Sequence, residues 1–165
     1  MKSLAVAFTG PSDSGKTTLI LKIATILKKK YALAIVKNDP SDKAVFDVEG
    51  KDSWKFSQTG AEVVVTSPTR TTLFSKRHQE IDEIIELLSD FDYLLVEGLK
   101  TLPLPRIAIF RNKIDESYFE CSDAIAIDES INISDYAVPS PITILNLNDP
   151  EAIIAWIEKN AKKVK

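Results

Sequence analysis

Near the start of the chain, Gly10-Pro11-Ser12-Asp13-Ser14-Gly15-Lys16-Thr17 reads G-x-x-x-x-G-K-T. The run sits between a short apolar stretch, Leu4 to Phe8, and a stretch with helical spacing that begins at Lys16. Strand, glycine-bracketed loop, helix is the context this motif requires. Glycines at both ends let the backbone curl without a Cβ clash. The loop amides then point inward as a nest for anionic oxygens, and the positive end of the helix dipole aims at the same place. Lys16 adds a full charge for β- and γ-phosphate oxygens, and the Thr17 hydroxyl suits Mg²⁺. Gly10 to Thr17, with Thr18 beside them, are therefore the candidate nucleotide-binding residues, and Thr17 is a candidate metal ligand.

This feature also constrains the fold. Leu4–Phe8 is apolar without alternation, as in a strand buried on both faces of a parallel sheet. Behind the loop, Leu19, Ile20, Ile23, Ile26 and Leu27 share one helical face, and Lys28-Lys29-Lys30 close it where positive charge suits the dipole. Ala32–Val36 reads as a second buried strand, 38–50 as a loop, 51–59 as a short helix and the Val-rich 61–66 as a third strand. The alternation continues with a helix over 79–89, with Ile81, Ile84, Ile85 and Leu88 inward. Strands follow at 93–96, 107–110, 124–127 and 142–147. Asp149-Pro150 opens a last helix with a cap and a proline at its first position. Alternation of this kind predicts an α/β, single-domain P-loop NTPase fold over residues 1–165, with a mainly parallel sheet flanked by helices.

Composition narrows the class. The chain has 165 residues, 44% of them hydrophobic and 27% charged, with a net charge of −3. That balance suits a protein that binds no nucleic acid, since phosphate-backbone binders carry a basic surplus. Cys121 is the sole cysteine, so no internal disulfide forms, and it reads as a small half-buried apolar residue. The first residues lack the pattern of an export signal, and no apolar run approaches the ~18 residues of a membrane span, so the expected place is the cytoplasm, away from membranes.

A second site element should lie at a neighbouring strand end: an acid reaching Mg²⁺ or its water. Asp92-Tyr93-Leu94-Leu95-Val96-Glu97-Gly98 brings Glu97 to that edge, and the bland alternative is a solvated strand end. Glu97 is thus a candidate catalytic and metal-binding residue. Asp39, after the second strand, is the other candidate for holding a metal-bound or attacking water; its alternative is a turn aspartate before Pro40. Asn112-Lys113-Ile114-Asp115 reads N-K-x-D, a guanine-selecting pattern, and makes Asn112, Lys113 and Asp115 candidate base contacts. It begins 14 residues after Gly98, closer than in Ras-like GTPases. A chance match is the alternative, with other loops selecting the base.

Taken with these motifs, further segments resemble the MobB family of molybdopterin-guanine dinucleotide biosynthesis accessory proteins. Gly50-Lys51-Asp52-Ser53 with Gly60-Ala61-Glu62 is similar to the family's G-K-D-S and A-G-A. Leu94-Leu95-Val96-Glu97-Gly98-Leu99-Lys100 is similar to its L-V-E-G-F-K, and Pro103-Leu104-Pro105-Arg106-Ile107, running to Arg111, to its P-x-P-K-I strand ending in arginine. Asp123 to Glu129 and Asn148-Asp149-Pro150-Glu151 match its late strand and last helix start. The resemblance implies GTP as bound cofactor, weak GTPase activity, a homodimer, and the molybdenum cofactor guanylyltransferase as partner. Two departures stand out. The family's K-H-x-H-H stretch is here Lys37-Asn38-Asp39-Pro40-Ser41-Asp42 without histidine, so no histidine metal role carries over, and Gly50 lacks the family's preceding proline. Other classes consistent with the loop are a small-molecule P-loop kinase and a regulatory module with a structural nucleotide. Arg70, Arg77, Arg106 and Arg111 form no dense cluster of the sort a kinase lid uses.

Overall fold

β1 (Leu4–Thr9) runs through the middle of the main sheet in the computed structural model, which describes residues 2–165. Its partners on either side are β5 (Tyr93–Glu97) and β6 (Arg106–Phe110), both parallel. Beyond β5 lies β2 (Leu33–Lys37), and beyond β6 come β7 (Ala124–Ile127) and β8 (Thr143–Asn146), giving the order β2-β5-β1-β6-β7-β8. Along β1, β6 pairs with Ala7–Thr9, and β9 (Lys162–Lys163) pairs antiparallel with Leu4 and Ala5. The mainly parallel sheet flanked by helices is as expected.

The described residues up to Asn38 and Leu88–Lys165 form one compact unit. Within it, α1 (Lys16–Leu27) and α4 (Pro150–Asn160) pack on the sheet. Leu19, Ile23 and Leu27 of α1 meet Val6, Phe8 and Leu95, and Ile153 and Ile157 of α4 complete the layer. Each such side chain removed from water contributes about 1.5–3 kcal/mol before entropy is counted. Asp149 caps α4 by accepting from the Ala152 amide at 2.9 Å, with Pro150 next. A second cluster around Phe110, Ile125 and Ile142 is backed by Tyr118 and Phe119 from the 3-10 helix Glu116–Cys121.

Asp39–Leu87 form the second unit. It contains α2 (Asp52–Gln58), β3 (Val63–Ser67), β4 (Arg70–Phe74) and α3 (Ile81–Leu87). β3 and β4 make a two-stranded antiparallel ribbon, with Val64 opposite Leu73.

Some elements differ from expectation. β2 is a strand but not a buried one: it is an edge of the sheet, and Ile35 stays 49% exposed. A short apolar run does not distinguish an edge from a centre. The Val-rich third strand belongs to the ribbon with β4, not to the main sheet. α3 is shorter than its pattern and buries only Ile85 fully. Among the described residues no helix is long and apolar enough to cross a membrane.

Candidate functional site: a glycine-bracketed loop at the carboxyl edge of the sheet

The chain leaves β1 toward β2, while the strand after β5 is laid on the opposite side of β1. Such a reversal opens a crevice at the carboxyl ends of the strands. Four strand ends supply it: Gly10–Thr17 after β1, Glu97 at the end of β5, Arg111–Asp115 after β6 and Asp128–Ser130 after β7.

The loop after β1 is shaped by its glycines. Gly10 has φ 140°, and a Cβ there would stand 2.4 Å from the Ile109 carbonyl oxygen. Gly15, at φ 94°, occupies the cap position of α1, and no side chain caps that helix. The amides of its first turn are therefore left to solvent or an anion. Lys16 Nζ folds back to donate to the carbonyls of Gly10 at 2.9 Å and Pro11 at 2.6 Å. Burial lowers its pKa, with Glu97 opposing that shift. Ser14 Oγ is buried without a hydrogen-bond partner. A glycine cradle, an uncapped helix start and an orphaned buried hydroxyl fit a phosphate group.

Two clefts adjoin the loop. One, of about 310 Å³, is lined by Asp13, Gly15, Lys16, Thr17, Thr18, Glu97 and Arg111. It joins the expected lysine, hydroxyl and acid in one place. Glu97 Oε2 accepts from Lys37 Nζ at 2.7 Å, with the Glu97 side chain 14% exposed. Among the described residues, no group of three or more His, Cys, Asp or Glu side chains could hold a metal. A cation here would need oxygens besides those of the chain, as in a nucleotide complex.

The other cleft, of about 840 Å³, is lined by Pro11–Ser14 and Arg111–Glu116. The N-K-x-D residues thus share a cavity with the loop. Asn112 is held at φ 65° with its amide donating to Ser130 Oγ at 2.8 Å. Asp115 Oδ1 accepts from the Ser117 amide at 3.1 Å and hydroxyl at 2.6 Å, which lowers its pKa. Asp39 is engaged in its own loop: Oδ2 accepts from the amides of Lys43 at 2.8 Å and Ala44 at 2.7 Å.

Sequence reasoning passed over Lys37, Asp128 and Ser130, and gave Arg111 no place in the site. A lysine directly after an apolar run or an aspartate after a strand carries no signal until the strands are aligned. Arg106 also takes a role no motif announces. Buried to 1% exposure, it donates to the carbonyls of Gly98 and Leu99 at 2.9 Å and of Leu102 at 3.1 Å. It thereby fixes the turn that follows Glu97, where Leu99 sits at φ 48°.

The chain and its fold are similar to those of known proteins. A chain of Methanocaldococcus jannaschii named for molybdopterin-guanine dinucleotide biosynthesis is 31% identical over 137 residues, 79% of this chain; the chain spans 57% of that relative's length. The molybdopterin-guanine dinucleotide biosynthesis adapter protein of Haemophilus influenzae is 28% identical over 162 residues, covering 93% of this chain and 86% of its own. A crystal structure of molybdopterin-guanine biosynthesis protein B superposes with a TM-score of 0.72 at 26% identity, over 94% of this chain and 99% of that one. The model of the family MobB, molybdopterin guanine dinucleotide synthesis protein B, matches residues 5–129, and the chain therefore belongs to the MobB family.

Proposed function

We propose that this chain binds GTP together with Mg²⁺ and hydrolyses it slowly. In this reading it serves, as a cytoplasmic homodimer, the guanylyltransferase that attaches GMP to molybdopterin. The observation that carries the nucleotide part is the cleft shared by Pro11–Ser14 and Arg111–Glu116. It offers a phosphate loop and a guanine-reading pattern to one ligand. Family membership carries the pathway part, and it is also the ground for the partner. Exposed apolar side chains in the second unit, Val45 at 85% and Phe46 at 84% exposure, are consistent with a surface used in association.

The residues divide the work as follows. Lys16 exchanges its two loop carbonyls for β- and γ-phosphate oxygens. Ser14 Oγ and the first amides of α1 donate to the same phosphates. Mg²⁺, when bound, would neutralise phosphate charge, with the Thr17 hydroxyl as its protein ligand and Glu97 orienting its water. Glu97 would give up Lys37 to do so. Asp39 is the second carboxylate assigned to a water, ranked after Glu97 because loop amides already occupy it. Asp115 caps the 3-10 helix by accepting from Ser117 through Oδ1, so Oδ2 is the oxygen offered to guanine N1 and N2.

Calorimetric titration of GTP and ATP, with and without Mg²⁺, tests the reading on the wild type, Asn112→Ala and Asp115→Ala. GTP should bind better than ATP. Each variant should lose about ten- to hundredfold in GTP affinity while sparing ATP, the cost of one hydrogen-bond partner to a charged group. Equal affinity for the two nucleotides, or unchanged GTP binding in both variants, would sink it.

A further inference from the structure

Arg111 follows β6 directly, and its guanidinium lies beside Gly15 of the loop after β1. A Cβ built on Gly15 would stand 3.4 Å from Arg111 Cζ and Nε and 3.6 Å from Nη2. The side chain is aimed by a chain of contacts. Nε forms an ion pair with Asp128 Oδ2 at 3.2 Å, and the Asp128 side chain is only 12% exposed. Ser130 Oγ donates to the other Asp128 oxygen and accepts from the Asn112 amide. The loops after β6 and β7 are thereby tied to each other and to one guanidinium. With Nε committed to Asp128, the planar fork still has its Nη hydrogens to offer.

Position gives those hydrogens a target. Arg111 and Asp13 are the residues that line both clefts, the one holding Lys16, Thr17 and Glu97 and the one holding Asn112–Asp115. In a nucleotide laid across the two, the group at the junction is the phosphate nearest the nucleoside. Asp13 would repel it, and Arg111 would bind it. We infer that Arg111 contacts the α-phosphate of the bound nucleotide, with Asp128 as the positioning residue that fixes its fork. The inference rests on the nucleotide reading above. Gly15 is favoured there by its φ of 94°, and the guanidinium would meet a side chain at that position only at van der Waals distance.

The test is a set of dissociation constants for GTP and GDP in the wild type, Arg111→Ala, Arg111→Lys and Asp128→Asn, with thermal melting of each ligand-free protein. An α-phosphate is common to both nucleotides, so Arg111→Ala should weaken GTP and GDP by the same factor, about ten- to hundredfold. Arg111→Lys should recover part of the loss, since charge returns without the fork. Asp128→Asn should shift both nucleotides in the same direction by a smaller factor, while the ligand-free melting temperatures stay near wild type. A loss confined to GTP would move the contact to the γ-phosphate and overturn the inference. So would affinities within about threefold of wild type in both Arg111 variants. If Arg111→Ala fails to fold, Arg111→Lys decides: full wild-type affinity there for both nucleotides means charge alone suffices, and the guanidinium fork is not the contact. A wild type that binds neither nucleotide overturns the nucleotide reading itself, whereas wild-type binding with unaffected variants overturns only the role of Arg111.

Discussion

Lys16 is the residue on which phosphate binding turns in the proposed function, and its hydrogen bonds in this structure bear on the test. Its ammonium is desolvated enough to lower its pKa, yet two carbonyls receive it. Removing it relieves a partly buried charge and forfeits two hydrogen bonds, so the two effects offset in the ligand-free protein. Lys16→Ala should therefore melt close to wild type while triphosphate binding is lost. Retention of GTP affinity within about threefold would show that the loop is not the phosphate site. Glu97 is tested by Glu97→Gln, which keeps size and hydrogen-bonding capacity and removes charge. Nucleotide binding should survive with weaker dependence on Mg²⁺, and hydrolysis should fall by about tenfold or more, the effect expected of a misplaced water. A wild-type rate with unchanged Mg²⁺ dependence would reduce Glu97 to a strand end and pass the question to Asp39→Asn.

Among the elements, the starts of three strands meet at Asp92. Its carboxylate accepts from the amides of Lys2 at 3.1 Å and Ala32 at 3.0 Å. Its main chain pairs with Leu4 and Ala32, at the entries to β1 and β2. These amides, that of Ala32 first, hold the Asp92 pKa below the ordinary aspartate value of 3.8. A depressed native pKa stabilises the fold above the unfolded value, and this contribution is lost as pH falls through the native one. Asp92→Asn should thus be less stable than wild type at neutral pH, with the gap narrowing below 3.8. Urea midpoints at neutral and acid pH measure it, and a gap that does not change with pH would remove Asp92 from the account. The position matters for the site because β1 and β5, which carry the phosphate loop and Glu97, are registered together from this end: Leu4 pairs with Tyr93 and Phe8 with Glu97.

For the whole molecule, the apolar surface left in water is the feature that asks for a partner. Val45, Phe46 and Val48 in the loop before α2, with Val64 and Leu73 on the ribbon, are exposed in the isolated chain. Where such side chains form a contiguous patch, the patch marks an association surface. The proposed homodimer predicts a mass of twice 18.3 kDa by light scattering. A monomer across the micromolar range would remove the homodimer from the proposed function without touching the nucleotide site.

The phosphate loop was legible in the sequence because its chemistry is local. Two glycines, a lysine and a threonine at fixed spacing determine the backbone path and the charge, whatever packs around them. The alternation of strands and helices was legible for the same reason, since burial on both faces leaves an unbroken apolar run such as Leu4–Phe8. Other features depended on strand order, which no local pattern encodes. The apolar run of β2 became an exposed edge because only β5 pairs with it. The Val-rich β3 turned to β4 rather than to the main sheet, since antiparallel pairing across a short turn needs no crossover. Asn112–Asp115 came to line one cleft with Pro11–Ser14 only because β6 was laid beside β1. Arg111 and Asp128 meet across the parallel pair β6 and β7, 17 positions apart along the chain. Their ion pair, and the placing of Arg111 against Gly15, were decided by tertiary structure alone, because a charge far along the chain finds its partner only after the sheet has set the distance.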